Sequence, residues 1–280
     1  MSMVRIRFPK SEQELSAMIQ EPAAVILNGG TDLMVQMRAG RKKPTLLVSL
    51  EHLSVGQSIQ EEKDWIEISC RTTFAEILRS RPIFLYFPIL AQASAEVGSS
   101  QIRNRATLVG NLVNASPAGD GILALILLDA EIEVRRGPKD SYRTPLEQFI
   151  LGPGKTSLQA GEYVYSIRIP KPVQPNYQCF AKVGKRKAMA ISIASMGAVI
   201  CVENQIIQSL RLGFGSVGPK VIQVHEAEAY ARGTRWDADT LKAIGGIVGR
   251  SVQPIDDVRA TAKYRRRVCE NLVQKIFSVS

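Results

Sequence analysis

The spacing of apolar positions changes often along this chain, and each change marks an element. Residues 11–22, SEQELSAMIQEP, open on Ser11, carry Glu14 three residues later and end at Pro22, which predicts a short capped helix. The apolar run Ala23 to Leu27 predicts a buried strand. It breaks at Asn28-Gly29-Gly30, and Thr31-Asp32 can cap a following turn of helix. PTLLVSL (44–50) reads as a second buried strand, and WIEISC (65–70) alternates as a half-buried one. TTFAEILRS (72–80) and FPILAQASAEVGS (87–99) read as helices. GILALILLDAEIEVRRG (121–137) joins an apolar segment to an alternating strand, GPGK (152–155) is a turn, and EYVYSIRIP (162–170) is a strand ending at Pro170.

PKPVQPN (170–176) carries three prolines and is the predicted linker. Beyond it, YQCFAKVG and SIASMGAVICVENQIIQSLRLGFGSVG predict a meander of strands that turns at ENQ. HEAEAYARG and residues 237–250 predict helices, and a last helix carries Tyr264, Val268, Leu272 and Ile276 at a spacing of four. Strands followed by helices make this second part an α+β unit. The expected domains are 1–170 and 171–280.

Composition narrows the function classes. The chain has 280 residues, 45% hydrophobic and 22% charged, enough to bury a core in each of two domains. The longest apolar run, GILALILL (121–128), is too short to span a bilayer, and MSMVRIRFPK lacks the apolar stretch of a signal peptide. Both point to a cytoplasmic protein without a membrane partner. The formal charge of +10 raises nucleic acid as a partner, but GRKK (40–43), KVGKRK (182–187) and YRRR (264–267) are short and lack interleaved aromatics. An anionic cofactor or an acidic partner subunit suits that charge as well. Cys70, Cys179, Cys201 and Cys269 lie far apart, which predicts reduced, buried thiols and no zinc or iron–sulfur ligation. With only His52 and His225 and no H-E-x-x-H, neither a His metal site nor a Ser-His-Asp triad is expected.

Two glycine segments carry the candidate chemistry. At Gly29-Gly30 the backbone N–H groups can face a ligand without an intervening Cβ, forming a nest for phosphate oxygens, or the pair is simply a tight turn. It is neither a G-x-G-x-x-G fingerprint nor a Walker A loop. RNRATLVGNLVNASPAGD (103–120) offers a second such loop. Gly110 permits close approach, Thr107, Asn111, Asn114 and Ser116 supply short polar side chains, and Asp120 can accept from a ribose hydroxyl. The same residues are also consistent with one turn and two helix caps. Two such loops could clamp the two phosphates of one dinucleotide.

VILNGGTDLMVQM, QIRNRATLVGNLVNASPAGD, GPGKTSL and FAKVGKRKAMAISIASMGAVI resemble the FAD-binding (medium) subunit of the molybdenum hydroxylases, the xanthine dehydrogenase family. LGFGSVGPKVIQVHEAEAYARG and YRRRVCENLV resemble that family's C-terminal flavoprotein domain, so the likeness runs nearly end to end. It implies an α+β fold: a two-lobed FAD-binding domain followed by a three-stranded sheet with helices. It implies that Val25, Ile26, Leu27, Asn28, Gly29, Gly30, Thr31 and Asp32 form a first pyrophosphate loop. Ala106, Thr107, Leu108, Val109, Gly110 and Asn111 would form the second. Ser116 and Asp120 would lie near the flavin or ribose, Tyr163 near the adenine through its backbone or an apolar face, and Phe180 and Lys182 would approach from the second domain, Lys182 beside the flavin. On the residues alone, the alternatives are Tyr163 and Phe180 as strand core and Lys182 as a solvated charge.

The resemblance further implies no catalytic residue on this chain, no metal, and FAD as its cofactor with NAD as electron acceptor. Molybdopterin would sit on a large partner subunit and 2Fe-2S clusters on a small one, in a hetero-oligomer acting in purine metabolism. One departure stands out. The family has Gly-Gly where this chain has Val109-Gly110, and a β-branched residue resists positive φ. The position is then extended, or the loop is shifted and FAD binding weakened. Two alternatives follow: a scaffold subunit that has lost its cofactor, or the flavin subunit of a related aldehyde, CO or aromatic-substrate dehydrogenase.

Overall fold

The computed structural model describes residues 4–174, 176–186 and 191–279, with side chains through 276. Part of the 170–176 linker and of the 182–187 basic cluster, and residues 187–190 of the FAKVGKRKAMAISIASMGAVI motif, lie outside the described residues. Two sheets build the first part. A small parallel sheet has Leu46–Ser49 between Arg5–Arg7 and Ala24–Leu27. An antiparallel five-stranded sheet runs Ile59–Glu61, Trp65–Ser69, Tyr163–Pro170, Glu131–Gly137, Asp140–Pro145. The GPGK turn joins the two short strands Ile150–Gly152 and Lys155–Thr156, with Gly154 at φ 67°. Both lobes share one continuous apolar core, from Leu15 and Leu46 to Ile167 and Ile169.

The meander forms the second part. Tyr177–Gly184, Ser192–Glu203 and Ile206–Gly215 pair in order, turning through Asn204 and Gln205 at φ 49° and 63°. The three expected strands are joined by a two-residue fourth, Ile222–Gln223. Helices Ala238–Ser251 and Ala262–Leu272 cover one face of this sheet around a second core that includes Phe214, Leu241, Ile244 and Cys269. The spacing-of-four stripe holds for Val268, Leu272 and Ile276, which join the second core, but not at its start: Tyr264 is 50% exposed, and Arg265 and Cys269 also point inward. The helix also stops at Leu272, after which Val273–Val279 is a 3₁₀ turn.

GILALILL explains how the parts meet. Helix Asp120–Leu127 is buried at every position, so it shows no amphipathic period. Its Leu123 and Leu127, with Ile89 of helix Pro88–Ala95, lie against Gly197 and Gly213 of the C-terminal sheet. A Cβ at Gly197 would stand 2.7 Å from Leu127 Cδ1 and 3.1 Å from Ile89 Cδ1. Glycine on that sheet face lets the buried helix approach.

Candidate functional site

Strand Ala24–Leu27, which holds Val25 and Ile26, is half-buried and ends where its sheet does. Asn28 then turns its carboxamide inward, donating through Nδ2 to the Cys70 carbonyl at 2.7 Å. Gly29 is set by contact. A Cβ there would overlap the Arg105 carbonyl oxygen and lie 2.8 Å from its carbon and 2.9 Å from Ala106 Cα. The two glycine segments therefore touch backbone to backbone, and only glycine fits. Gly30 follows at φ 72°, in the left-handed region that a Cβ disfavours. Asp32 occupies the N-cap position of helix Leu33–Arg38, but its carboxylate makes no cap bond and accepts from Gln36 instead. The same Gln36 Nε2 reaches Asn114 Oδ1 at 3.1 Å, tying the segments together a second time. Among the described residues nothing accepts from the backbone N–H groups of Gly29, Gly30, Thr31 or Asp32. Four adjacent unpaired donors are a ready anion cradle.

The second segment is fixed along its length. Arg103 Nη1 donates to the carbonyls of Ala95, Val97 and Gly98 at 3.1 to 3.2 Å. The Ala106 carbonyl accepts from Phe74 N at 3.0 Å, and Leu108 N donates to the Thr72 carbonyl at 3.1 Å, bridging Thr73 to Thr107. Thr107 caps helix Leu108–Asn114: its Oγ1 accepts from Gly110 N at 3.0 Å. A Cβ on Gly110 would sit 2.8 Å from that oxygen, so glycine here serves the cap. Val109 lies in the first helical turn, buried and in right-handed conformation. It is not extended, and a valine at a helical position meets no positive φ. Asn111 Oδ1 is buried and accepts from no group among the described residues. An orphaned acceptor of this kind suits a ligand hydroxyl or amine. The helix ends at Ala115 in left-handed conformation, where the Ala115 carbonyl accepts from Gly154 N of the GPGK turn.

From Ser116 on, the segment meets the second part of the chain. Ser116 Oγ accepts from Ala118 N, and the Pro117 carbonyl from Ser216 N at 2.9 Å. Asp120 is 5% exposed and binds Lys182 Nζ at 2.6 Å and Ser192 Oγ at 3.0 Å. Lys182 also donates to the Glu96 carbonyl at 3.1 Å, and its side chain is buried, so it is not a solvated surface charge. Burial pushes the Asp120 carboxyl above its ordinary range, partly offset by the Lys182 ammonium and the Ser192 hydroxyl. Phe180 packs against the first core and donates its N–H to Gln92 Oε1 at 2.7 Å. Tyr163 lies in the core of the five-stranded sheet, 2% exposed, its hydroxyl donating to Glu12 Oε2 at 2.9 Å. Burial first, and then that bond, push the Tyr163 hydroxyl to a higher pKa.

The structure thus brings Gly29 against Arg105 and Ala106 and Gln36 to Asn114, joins Asp120 and Lys182 at the seam, and engages the Tyr163 hydroxyl with Glu12. Sequence reasoning missed Thr72, Thr73, Gln36 and Ser192. The T-x-x-E of Thr73 and Glu76, a capping box, is the one local signal among them. All four cysteines are free and buried. Burial raises the thiol of Cys70 to about 11 and those of Cys179 and Cys269 to about 12, so these three stay protonated at neutral pH.

Residues 2–172 match the FAD-binding domain of molybdopterin dehydrogenases, and residues 180–279 the C-terminal domain of the CO dehydrogenase flavoprotein. The xanthine dehydrogenase FAD-binding subunit of Escherichia coli is 28% identical over 266 residues, covering 94% of this chain and 91% of that one. The nicotinate dehydrogenase FAD-subunit of Eubacterium barkeri is 28% identical over 277 residues, 96% of this chain and 93% of that one. Quinoline 2-oxidoreductase from Pseudomonas putida shares the fold with a TM-score of 0.94 at 22% identity, over 99% of this chain and 96% of that one. On these matches the chain belongs to the molybdenum hydroxylase family, as one of its FAD-binding medium subunits.

Proposed function

We propose that this chain is the electron-output subunit of a multi-subunit xanthine dehydrogenase, holding one FAD noncovalently. The large partner would carry molybdopterin and hydroxylate the purine, a small partner would carry 2Fe-2S clusters, and NAD would take the electrons. The backbone contact of Gly29 with Arg105 and Ala106 carries the reading, because it joins the two glycine segments into one surface. The unpaired N–H groups of residues 29–32 and the buried Asn111 acceptor fit a pyrophosphate and a sugar or ring polar group. Bound FAD would supply two-electron transfer. The residues of the chain would bind and orient it: 25–32 and 106–111 around the pyrophosphate, Ser116 and Asp120 toward flavin or ribose. Lys182 would hold the Asp120 carboxylate in place beside it. The raised thiols of Cys70, Cys179 and Cys269 argue against a covalent flavin link through these three residues. No helix among the described residues is long and apolar enough to cross a membrane.

Helical Val109 removes the motive for a cofactor-free scaffold. The xanthine assignment rests on the likeness to the Escherichia coli subunit, and relatives that act on nicotinate mark the competing substrate class. The test is purification of the native complex, with release of its flavin by acid and assay of xanthine against NAD⁺ and against an artificial dye. FAD release and activity with both acceptors are expected. A colourless protein that takes up no added FAD would refute the flavin role. Activity with dye alone would remove NAD⁺, and activity on nicotinate but not xanthine would reassign the substrate.

A further inference from the structure

We infer that Arg265 is a positioning residue for the segment 116–120, acting on it from the C-terminal helix through the ends of two strands. This rests on the FAD reading above, which puts that segment at the flavin side of the site. Arg265 is 1% exposed. Its Nη1 donates to the Ile193 carbonyl at 2.8 Å and to the Ser216 carbonyl at 2.7 Å, and its Nη2 binds the Asp257 carboxylate. The two carbonyls are not arbitrary acceptors. Ser192, the neighbour of Ile193, holds the Asp120 carboxylate, and Ser216 itself donates its N–H to the Pro117 carbonyl. One guanidinium nitrogen, Nη1, therefore fixes both strand ends that grip the segment while Nη2 is anchored on Asp257, and a lysine's single ammonium has no second nitrogen to keep that anchor.

Two further observations support this. Ser216 stands at φ 65°, a conformation non-glycine residues rarely adopt, and is held there by its N–H bond to Pro117 and its C=O bond from Arg265. A cation buried so deeply costs more than an apolar side chain of similar size would, so stability alone is a poor account of it.

The test uses the purified full chain with Arg265→Lys, Ser192→Ala and the double variant. Three quantities are read: the FAD dissociation constant, the melting temperature without FAD, and hydrogen exchange of the peptide spanning 116–120. R265K should weaken FAD about tenfold, the loss of roughly one charge-assisted hydrogen bond. Exchange at 116–120 should rise more than in helix Ala238–Ser251. The double variant should be weaker by less than the product of the single effects, because both act through one seam. Should R265K not fold, Asp257→Asn loosens the same guanidinium from its exposed side and should give the same order of exchange. Unchanged FAD affinity in R265K, an even rise of exchange over the C-terminal part, or independent effects in the double variant would each overturn the inference. A wild-type chain that takes up no FAD overturns the FAD reading as well, whereas normal binding in R265K overturns this inference alone.

Discussion

Gly29 is fixed by the backbone that lies against it, whereas Asp120 is fixed by side chains that reach it from the other half of the chain. At Gly29 the constraint is space: the Arg105–Ala106 backbone leaves no room for a Cβ. At Asp120 it is charge: an ammonium 62 residues later in the chain and a hydroxyl 72 residues later hold one buried carboxylate. The first kind of constraint writes itself into the sequence as glycine. The second leaves an aspartate, a lysine and a serine that look ordinary where they stand. The first segment thus takes its geometry from the backbone of the second, and the second borrows part of its own from the C-terminal sheet.

Breaking the charge side should have the largest effect. Lys182→Met strands the Asp120 carboxylate in a site where both side chains are under a tenth exposed, at a cost of about 3–5 kcal/mol. Adding Asp120→Asn should recover most of that loss, because no unpaired charge remains. Denaturant unfolding measures both, and a single-variant loss near zero would contradict the seam. Gly29→Ala comes next. The methyl forces two backbones apart, at about 1–3 kcal/mol, and FAD uptake should fall with it. Unfolding midpoint and flavin absorbance read the two effects, and full FAD content in this variant would break the claim that the segments must touch. Gly30→Val should cost about 1–2 kcal/mol for a β-branched residue at φ 72°. Its circular dichroism should stay near wild type as flavin absorbance disappears.

The smallest effect is an acid one. Hydrogen bonding to the Arg259 side chain, and to that of Arg265, holds Asp257 well below the usual carboxylate range. Its folded pKa is depressed, so its contribution to stability is complete above its unfolded value of about 4 and is lost as pH falls below that. Asp257→Asn should flatten this acid limb and leave stability at neutral pH less changed than Lys182→Met does. An acid limb unchanged in the variant would remove Asp257 as its source.

Much of the fold was legible because its signals are local. The strands at 24–27, 46–49, 65–69 and 163–170 follow apolar runs or alternation, and the Asn204-Gln205 turn follows its residues. Strand Asp140–Pro145 was not legible, since it lies exposed at a sheet edge with no apolar face to alternate. Helix Arg81–Tyr86 was missed because Pro82, which suits a first helical turn, reads as a break. The spacing of four placed Tyr264 inward because an arginine does not count as apolar, yet Arg265 takes the inward position by finding three acceptors there. Of the candidate site, the glycine contacts were readable in outline. Thr72 and Phe74, which clamp the second segment through backbone bonds on either side of Thr73, were not, because a backbone bond does not select a side chain.

The central claim is that both glycine segments hold one FAD. Hydrogen exchange of the full chain across an FAD titration tests it most directly, because the N–H groups of residues 29–32 have no acceptor among the described residues and should exchange quickly without the cofactor. Peptides covering 28–32 and 107–111 should gain protection together, at the same FAD concentration and saturating at one equivalent per chain. Protection of one segment without the other, or of neither while FAD is bound, would contradict the account.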